Sequence, residues 1–117
     1  MADATVHTWE SMPVDRPMAL IDRRWVMGER AMISQVTLHA GFVVEPHAHG
    51  NEQFAVVLSG RIRFTLGEAG AERTAELVGG QVLELPANVR HGAEAIETTV
   101  ILDVFSPPSE KTGVDAG

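Results

Sequence analysis

Short apolar stretches separated by turn residues run through most of the chain. Signals for turns recur at a spacing of roughly 8 to 12 residues, which is typical of an all-β sandwich or barrel. They fall at Gly41, Gly50-Asn51, Ser59-Gly60, 67–70 and Gly79-Gly80. The stretches between them are rich in Val, Ile, Thr and Leu, which favour strands. The pattern predicts strands at 31–40, 42–49, 53–58, 61–66, 72–78, 81–85 and 98–105.

Helix is nearly absent from the predicted structure. The one stretch with helical composition, 68–77, is interrupted by Gly70 and contains Thr74. Glycine and a β-branched residue both weaken a helix, so this stretch is interpreted as a hairpin loop that enters a strand. The predicted fold class is therefore all-β.

Two of the predicted strands differ in how their faces are composed. In 53–58 both faces are apolar beyond Gln53, so this strand is predicted to be covered on both sides. In 101–105 one face carries Asp103 between Ile101 and Phe105. A carboxylate between two large apolar side chains needs either a partner or a chemical role.

Composition and charge indicate one globular domain with an acidic surface. The chain has 117 residues, of which 44% are hydrophobic and 21% charged, and its net charge is −7. Nucleic acid and anionic membranes are therefore not expected as partners. The first twelve residues contain no apolar targeting core and no apolar run approaches a membrane span, which predicts a cytoplasmic protein. Because there is no cysteine, any metal must be bound by nitrogen and oxygen.

Three histidines lie in two separate segments bracketed by glycine. His47 and His49 are one residue apart, so an extended chain points both to the same side. His91 lies in the second segment, and neutral imidazole is the commonest protein ligand for first-row transition metals. The pattern predicts a pocket for one divalent transition metal per subunit, either Mn, Fe, Co, Ni, Cu or Zn. His7 and His39 lie outside both segments and are interpreted as ordinary surface or strand residues.

The two histidine segments carry a family resemblance. The segment 41–60 resembles the first cupin motif, in which His-x-His precedes an acidic ligand, with Gln53 where glutamate is usual. The segment 80–91 resembles the second cupin motif, with Asn88 in place of its second glycine. The resemblance implies a double-stranded β-helix barrel, or jelly roll. It also implies a metal ligand set of His47, His49, Gln53 and His91.

The fourth ligand is open to a second interpretation. Glu52 lies directly beside Gln53, and a shift of one residue in the register of the strand would exchange the two side chains. Gln53 is the preferred choice. Its amide carries no charge, so the site would keep more of the positive charge of its ion than a site with glutamate.

The last strand narrows the resemblance to the small pectin-degradation cupins, which open unsaturated uronates to linear keto sugars. In that subfamily an aspartate and a phenylalanine at the positions of Asp103 and Phe105 line the pocket, and the metal set includes glutamine. Asp103 is the predicted catalytic residue and Phe105 a predicted substrate contact, with an ordinary place in the core as the alternative for Phe105. The chain departs at Ser109, where an arginine is expected, and a hydroxyl cannot replace a bidentate guanidinium.

The function predicted from these residues is a metal-dependent lyase or isomerase acting on a small, oxygen-rich substrate of the sugar-acid kind. Asp103 would move a proton, with its pKa raised by burial; the alternative is that it hydrogen-bonds the backbone or His91. A cupin dioxygenase and a non-catalytic module that binds a metal or a small ligand are the other classes left open.

The predicted domain organisation has three parts. Residues 1–17 form an N-terminal arm that is expected to pack on a neighbouring subunit, because it is too apolar for a free tail. Residues 18–110 form the barrel, and 111–117 a flexible C-terminal tail. The expected partners are a small-molecule substrate and a second copy of the chain, in a homodimer formed through apolar outer strand faces and the arm.

Overall fold

Two antiparallel sheets make up the computed structural model, which describes residues 3–109. Within these residues the nine strands are β1 Ile21–Met27, β2 Met32–Leu38, β3 Val43–His47, β4 Glu52–Ser59, β5 Arg61–Leu66, β6 Arg73–Val78, β7 Val82–Leu85, β8 His91–Ala95 and β9 Thr99–Ser106. One sheet has the order β1-β2-β9-β4-β7 and the other β3-β8-β5-β6. A 3-10 turn, Trp9–Ser11, precedes β1. The predicted all-β jelly roll is confirmed.

Every predicted strand is present, and β1 and β8 are two strands that the pattern did not predict. In β1 a charged residue, Arg23, is only 3% exposed. Its Nε donates to Oδ2 of Asp15 at 2.6 Å, and its guanidinium carbon lies 5.1 Å from the ring centroid of Trp25. In β8 glycine and alanine predominate, which have low strand propensity. Both segments are strands because neighbouring strands complete their hydrogen bonds.

The hydrophobic core lies between the two sheets. The alternation that builds it is plain in β2, where every second residue is buried and the others keep partial exposure. The buried apolar cluster comprises Ile21, Val36, Leu38, Phe42, Ala55, Val57, Ile62, Phe64, Leu66, Leu77, Leu85, Ala95 and Ile101. Some of these side chains also form the wall of the pocket described below.

The two faces of β4 differ in burial. Gln53, Ala55 and Val57 point inward and are buried, whereas Leu58 on the outer face is 48% exposed. The prediction that this strand is covered on both sides is therefore wrong for the single chain over residues 3–109. The outer face of β4 belongs to the five-stranded sheet.

The N-terminal arm makes contacts with its own barrel. Asp15 and Arg23 exchange backbone hydrogen bonds of 2.8 and 2.9 Å, and Nε of Arg24 donates to the carbonyl of Met12 at 3.3 Å. Packing of the arm on a second subunit stays a prediction, and the predicted tail 111–117 lies outside the described residues. Within 3–109 no helix has the length and apolar character needed to cross a membrane.

Candidate metal centre

The ends of two neighbouring strands and the loop that follows one of them bring three histidines together. His47 on β3 lies opposite His91 on β8, after a shift of register between Val44 and His47. His49 lies in the loop before β4. The ring centroids are 4.4 Å apart for His47 and His91, 5.0 Å for His49 and His91, and 5.5 Å for His47 and His49. One ring nitrogen from each residue lies within 4.8 Å of the others, so the three could hold a metal ion.

The backbone at Gly92 and at Asn88 allows the two histidine segments to come this close together. A Cβ on Gly92 would lie 2.9 Å from the carbonyl oxygen of Val44, so glycine lets β8 run this close to β3. Asn88 has a φ of 69°, in the left-handed region that asparagine tolerates better than most residues. Its N–H donates to the carbonyl of His49 at 2.8 Å and joins the two histidine segments. Asparagine can therefore stand where the second motif usually has glycine.

One nitrogen of each histidine ring is engaged by the backbone. The Nδ1 atoms of His47, His49 and His91 lie 2.8, 3.1 and 2.9 Å from the carbonyl oxygens of Glu45, Asn51 and Val89. A carbonyl only accepts, so this hydrogen-bond pattern assigns the proton of each ring to Nδ1 and leaves the lone pair on Nε2. Carbonyl groups orient histidine ligands in the same way in metal sites.

Gln53 brings an amide oxygen to the same place. The residue is 7% exposed, its Oε1 lies 3.2 Å from Nε2 of His49, and its Nε2 donates to Oδ1 of Asp103 at 2.9 Å. With the proton of His49 on Nδ1, two acceptors face each other, and a cation would satisfy both. Three neutral imidazoles and an amide oxygen suit a divalent transition metal. Glu52, the alternative ligand, is exposed, one residue along the strand from the buried Gln53.

His91 is the most deeply buried of the three histidines. Burial lowers its pKa to about 4, although the hydrogen bond to the carbonyl of Val89 acts in the opposite direction. His47 and His49 lower this pKa further, because a positive charge nearby disfavours a second one. The ring is therefore neutral above about pH 4, in the form that binds a metal.

Asp103 is an acid within the barrel. It lies on β9 between Ile101 and Phe105, which are 2% and 1% exposed. Burial raises the pKa of Asp103 to about 6, and the hydrogen bond from Gln53 offsets part of that rise. Its side-chain partner is thus Gln53 and not His91. The residue also lines the pocket described next.

A pocket of about 40 Å³ lies beside the histidines. It is lined by Val36, Leu38, Val44, His47, Gln53, Ile62, Phe64, His91, Ala93, Ile101 and Asp103. The apolar members were not recognised in the sequence, because core residues and pocket residues share one alternating pattern.

The remaining predicted residues lie around this group. The ring of Phe105 packs with its edge against His49 at a centroid distance of 5.8 Å, and its contact with substrate stays a prediction. His39 lies apart from the three clustered histidines, with its Nε2 2.9 Å from Oδ2 of Asp22. His7 is exposed.

The raised pKa of Asp103 predicts a pH dependence of stability in the metal-free protein. A carboxyl group with a folded pKa near 6 and an unfolded value near 3.8 contributes stability that is complete below pH 3.8 and is lost as the pH rises through 6. Relative to Asp103→Asn, the free energy of unfolding of the wild type should fall by on the order of 2 kcal/mol over this window. Urea titrations in chelator at several pH values measure it, and parallel pH profiles would contradict it.

The comparisons with known proteins agree with the fold. Residues 34–105 match the family model Cupin_2, the cupin domain. KdgF from Halomonas sp. superimposes with a TM-score of 0.81 at 24% identity, covering 92% of this chain and 97% of that chain. An RmlC-like cupin from Shewanella frigidimarina gives 0.80 at 21% identity, covering 92% and 95%. A search of curated proteins finds no match.

A larger solved protein contains the same barrel. Oxalate decarboxylase from Bacillus subtilis, which has Mn(II) centres, gives a TM-score of 0.78 at 21% identity over 93% of this chain, which spans 32% of that protein. At these identities the structural matches share the fold. The family model covers well over half of the sequence, and by that match the chain belongs to the cupin domain family.

Proposed function

We propose that this cupin is a metal-dependent enzyme of the lyase or isomerase type that moves a proton on a small oxygen-bearing substrate. The observation that carries the proposal is the place of Asp103, an acid that lines the pocket and accepts a hydrogen bond from Gln53 beside the three histidines. A carboxyl group in this position can serve both as proton acceptor and as proton donor.

The metal ligands in this proposal are His47, His49, Gln53 and His91, holding one divalent transition metal per subunit. A bound divalent ion would act as a Lewis acid on a substrate carbonyl or hydroxyl oxygen. All four ligands are neutral, so the ion keeps its positive charge and attracts oxygen-rich or anionic groups. The four ligands would hold that positive charge beside Asp103.

Asp103 performs the proton transfer. Gln53 occupies Oδ1 of the carboxylate, and we assign the transfer to Oδ2. The ionised carboxylate takes a proton from the carbon next to a substrate carbonyl. It then returns that proton to a neighbouring carbon in an isomerisation, or to a departing hydroxyl that leaves as water. The protein is unchanged in either case.

The experiment incubates metal-loaded protein with unsaturated uronates and with small oxo acids, and follows the loss of starting material and the consumption of oxygen. Conversion without oxygen uptake supports the proposal. Oxygen uptake would identify a dioxygenase instead, and saturable binding without conversion would identify a binding module.

We also propose that the protein is a homodimer that buries the outer face of the five-stranded sheet. Val82, Val56 and Leu102 are cross-strand neighbours on this face, and Val82 is 55% exposed. The outer face of the other sheet instead carries ion pairs from Arg61 to Glu76 and Glu97. An apolar patch opposite a polar one is typical of an interface between copies.

Val82→Asp is expected to weaken dimerisation by at least about tenfold, because it would bury an unpaired carboxylate in the interface. Val43→Asp is the matched control, since Val43 has a similar exposure of 51% on the four-stranded sheet. Sedimentation equilibrium measures both variants. A monomeric wild type, or equal effects of the two substitutions, would refute the proposed interface.

A further inference from the structure

We propose that the pocket takes a compact ligand in which a metal-chelating oxygen head carries a short apolar body, in place of a polyhydroxylated sugar acid. This inference rests on the proposed function and specifies the substrate class of the same site. Four features of the pocket support it: its lining, its hydrogen bonding, its charge and its size.

The lining divides the pocket into a polar end and an apolar wall. The polar end consists of His47, Gln53, His91 and Asp103. The wall consists of Val36, Leu38, Val44, Ile62, Phe64, Ala93 and Ile101, contributed by strands of both sheets. Chelating oxygens therefore have partners at one end only, and the rest of a bound molecule meets hydrocarbon.

Apart from Oδ2 of Asp103, which the proposed proton transfer uses, the polar side chains have little hydrogen-bonding capacity left for substrate hydroxyls. Nδ1 of His47 and of His91 face backbone carbonyls, and Nε2 of Gln53 donates to Asp103. A sugar acid carries several hydroxyl groups, and each one that is buried against the wall loses water without gaining a partner. An alkyl body has no such penalty and gains from leaving water.

Charge favours the same class of ligand. Within residues 3–109, no lysine or arginine is among the side chains that line the pocket. One anionic head can be neutralised by the metal, but the pocket wall supplies no cation for a second carboxylate.

The size of the pocket limits the body of the ligand. Its volume of about 40 Å³ corresponds to roughly three water molecules, at 10–15 Å³ of probe-occupied volume each. This space accepts a short alkyl group next to the chelating head. A sugar ring would have to remain largely outside.

The test uses Co²⁺-loaded protein and three hydroxamates that share one chelating head. Butanohydroxamate should bind more tightly than acetohydroxamate by about fourfold per methylene, or about 15-fold in total. 3-Hydroxypropanohydroxamate matches the butano compound in size but ends in a hydroxyl, and it should bind at least about tenfold more weakly than that compound. Calorimetry gives the affinities, and the visible Co²⁺ spectrum reports binding at the metal. Equal or tighter binding of the hydroxyl compound would overturn the inference.

Serine substitutions at two alanines test whether the preference for the butano compound arises in the pocket. Ala93 and Ala75 both lie opposite Phe64 on neighbouring strands, but only Ala93 is among the lining residues. Ala93→Ser should reduce the preference for the butano compound by about fivefold or more, because its hydroxyl can pair with that of the ligand. Ala75→Ser should leave the preference unchanged. Equal effects of the two variants would contradict the assignment of this pocket.

The outcomes separate this inference from the function on which it rests. Turnover of unsaturated uronates with tight binding of hydroxylated probes would support the enzyme and overturn the apolar ligand class. Failure of the protein to bind Co²⁺ would overturn both.

Discussion

His49→Ala is expected to lower the affinity of the protein for Zn²⁺ or Mn²⁺ by more than about 100-fold, since it removes one of three imidazoles that converge on one point. The loop that carries His49 should keep its position, because the backbone carbonyl of this residue still accepts from Asn88. Competition with a chromophoric chelator measures the metal affinity of the variant.

His39→Ala is the matched control for this substitution. His39 is also a histidine on the same chain, but its Nε2 faces Asp22, outside the candidate centre. Its removal should leave the metal affinity within about twofold of the wild-type value. An equal loss of affinity in both variants would mean that metal binds elsewhere or unspecifically.

Asp103→Asn is expected to lower turnover by about 10²- to 10⁴-fold while the metal stays bound, because the variant loses the group that exchanges the proton. Asparagine keeps an oxygen that can accept from Nε2 of Gln53, so the amide oxygen of Gln53 should still face the histidines. Steady-state rates on a converted substrate, with metal content measured on the same samples, separate chemistry from metal binding.

Loss of metal together with turnover in Asp103→Asn would assign Asp103 a different role. It would then hold Gln53 in position and would not move a proton. Asp22→Asn is a control for an aspartate that hydrogen-bonds a histidine outside the centre, and it should retain both turnover and metal. Unchanged turnover in Asp103→Asn would contradict the proposed proton transfer.

The sequence predicts most of the fold, because alternating apolar residues and regular turns specify strands directly. There are physical reasons why the pattern did not predict the two strands β1 and β8. In β1 the buried Arg23 interrupts the apolar pattern and is stabilised by Asp15, a partner from the arm that no local pattern indicates. In β8 the small residues that let the strand pass close to β3, above all Gly92, also weaken its strand signal.

The part of the candidate site that depends only on the spacing of residues along the chain can be predicted from the sequence. The spacing of His47, His49 and His91 in two glycine-bracketed segments indicated convergence on one point, and the structure brings their rings together. The hydrogen bond from Gln53 to Asp103 depends on cross-strand register, with Gln53 opposite Phe105 and Asp103 opposite Ala55. Register of this kind is set by the whole sheet, so the sequence left the partner of Asp103 open.

The measurement that tests the metal centre most directly is X-ray absorption at the zinc edge of Zn²⁺-loaded protein. A centre built from His47, His49, His91 and Gln53 predicts one zinc per chain with three imidazole nitrogens at about 2.0–2.1 Å and an oxygen at about 2.0–2.2 Å. A spectrum without an imidazole shell, or with a single imidazole, would contradict a site assembled from these three histidines.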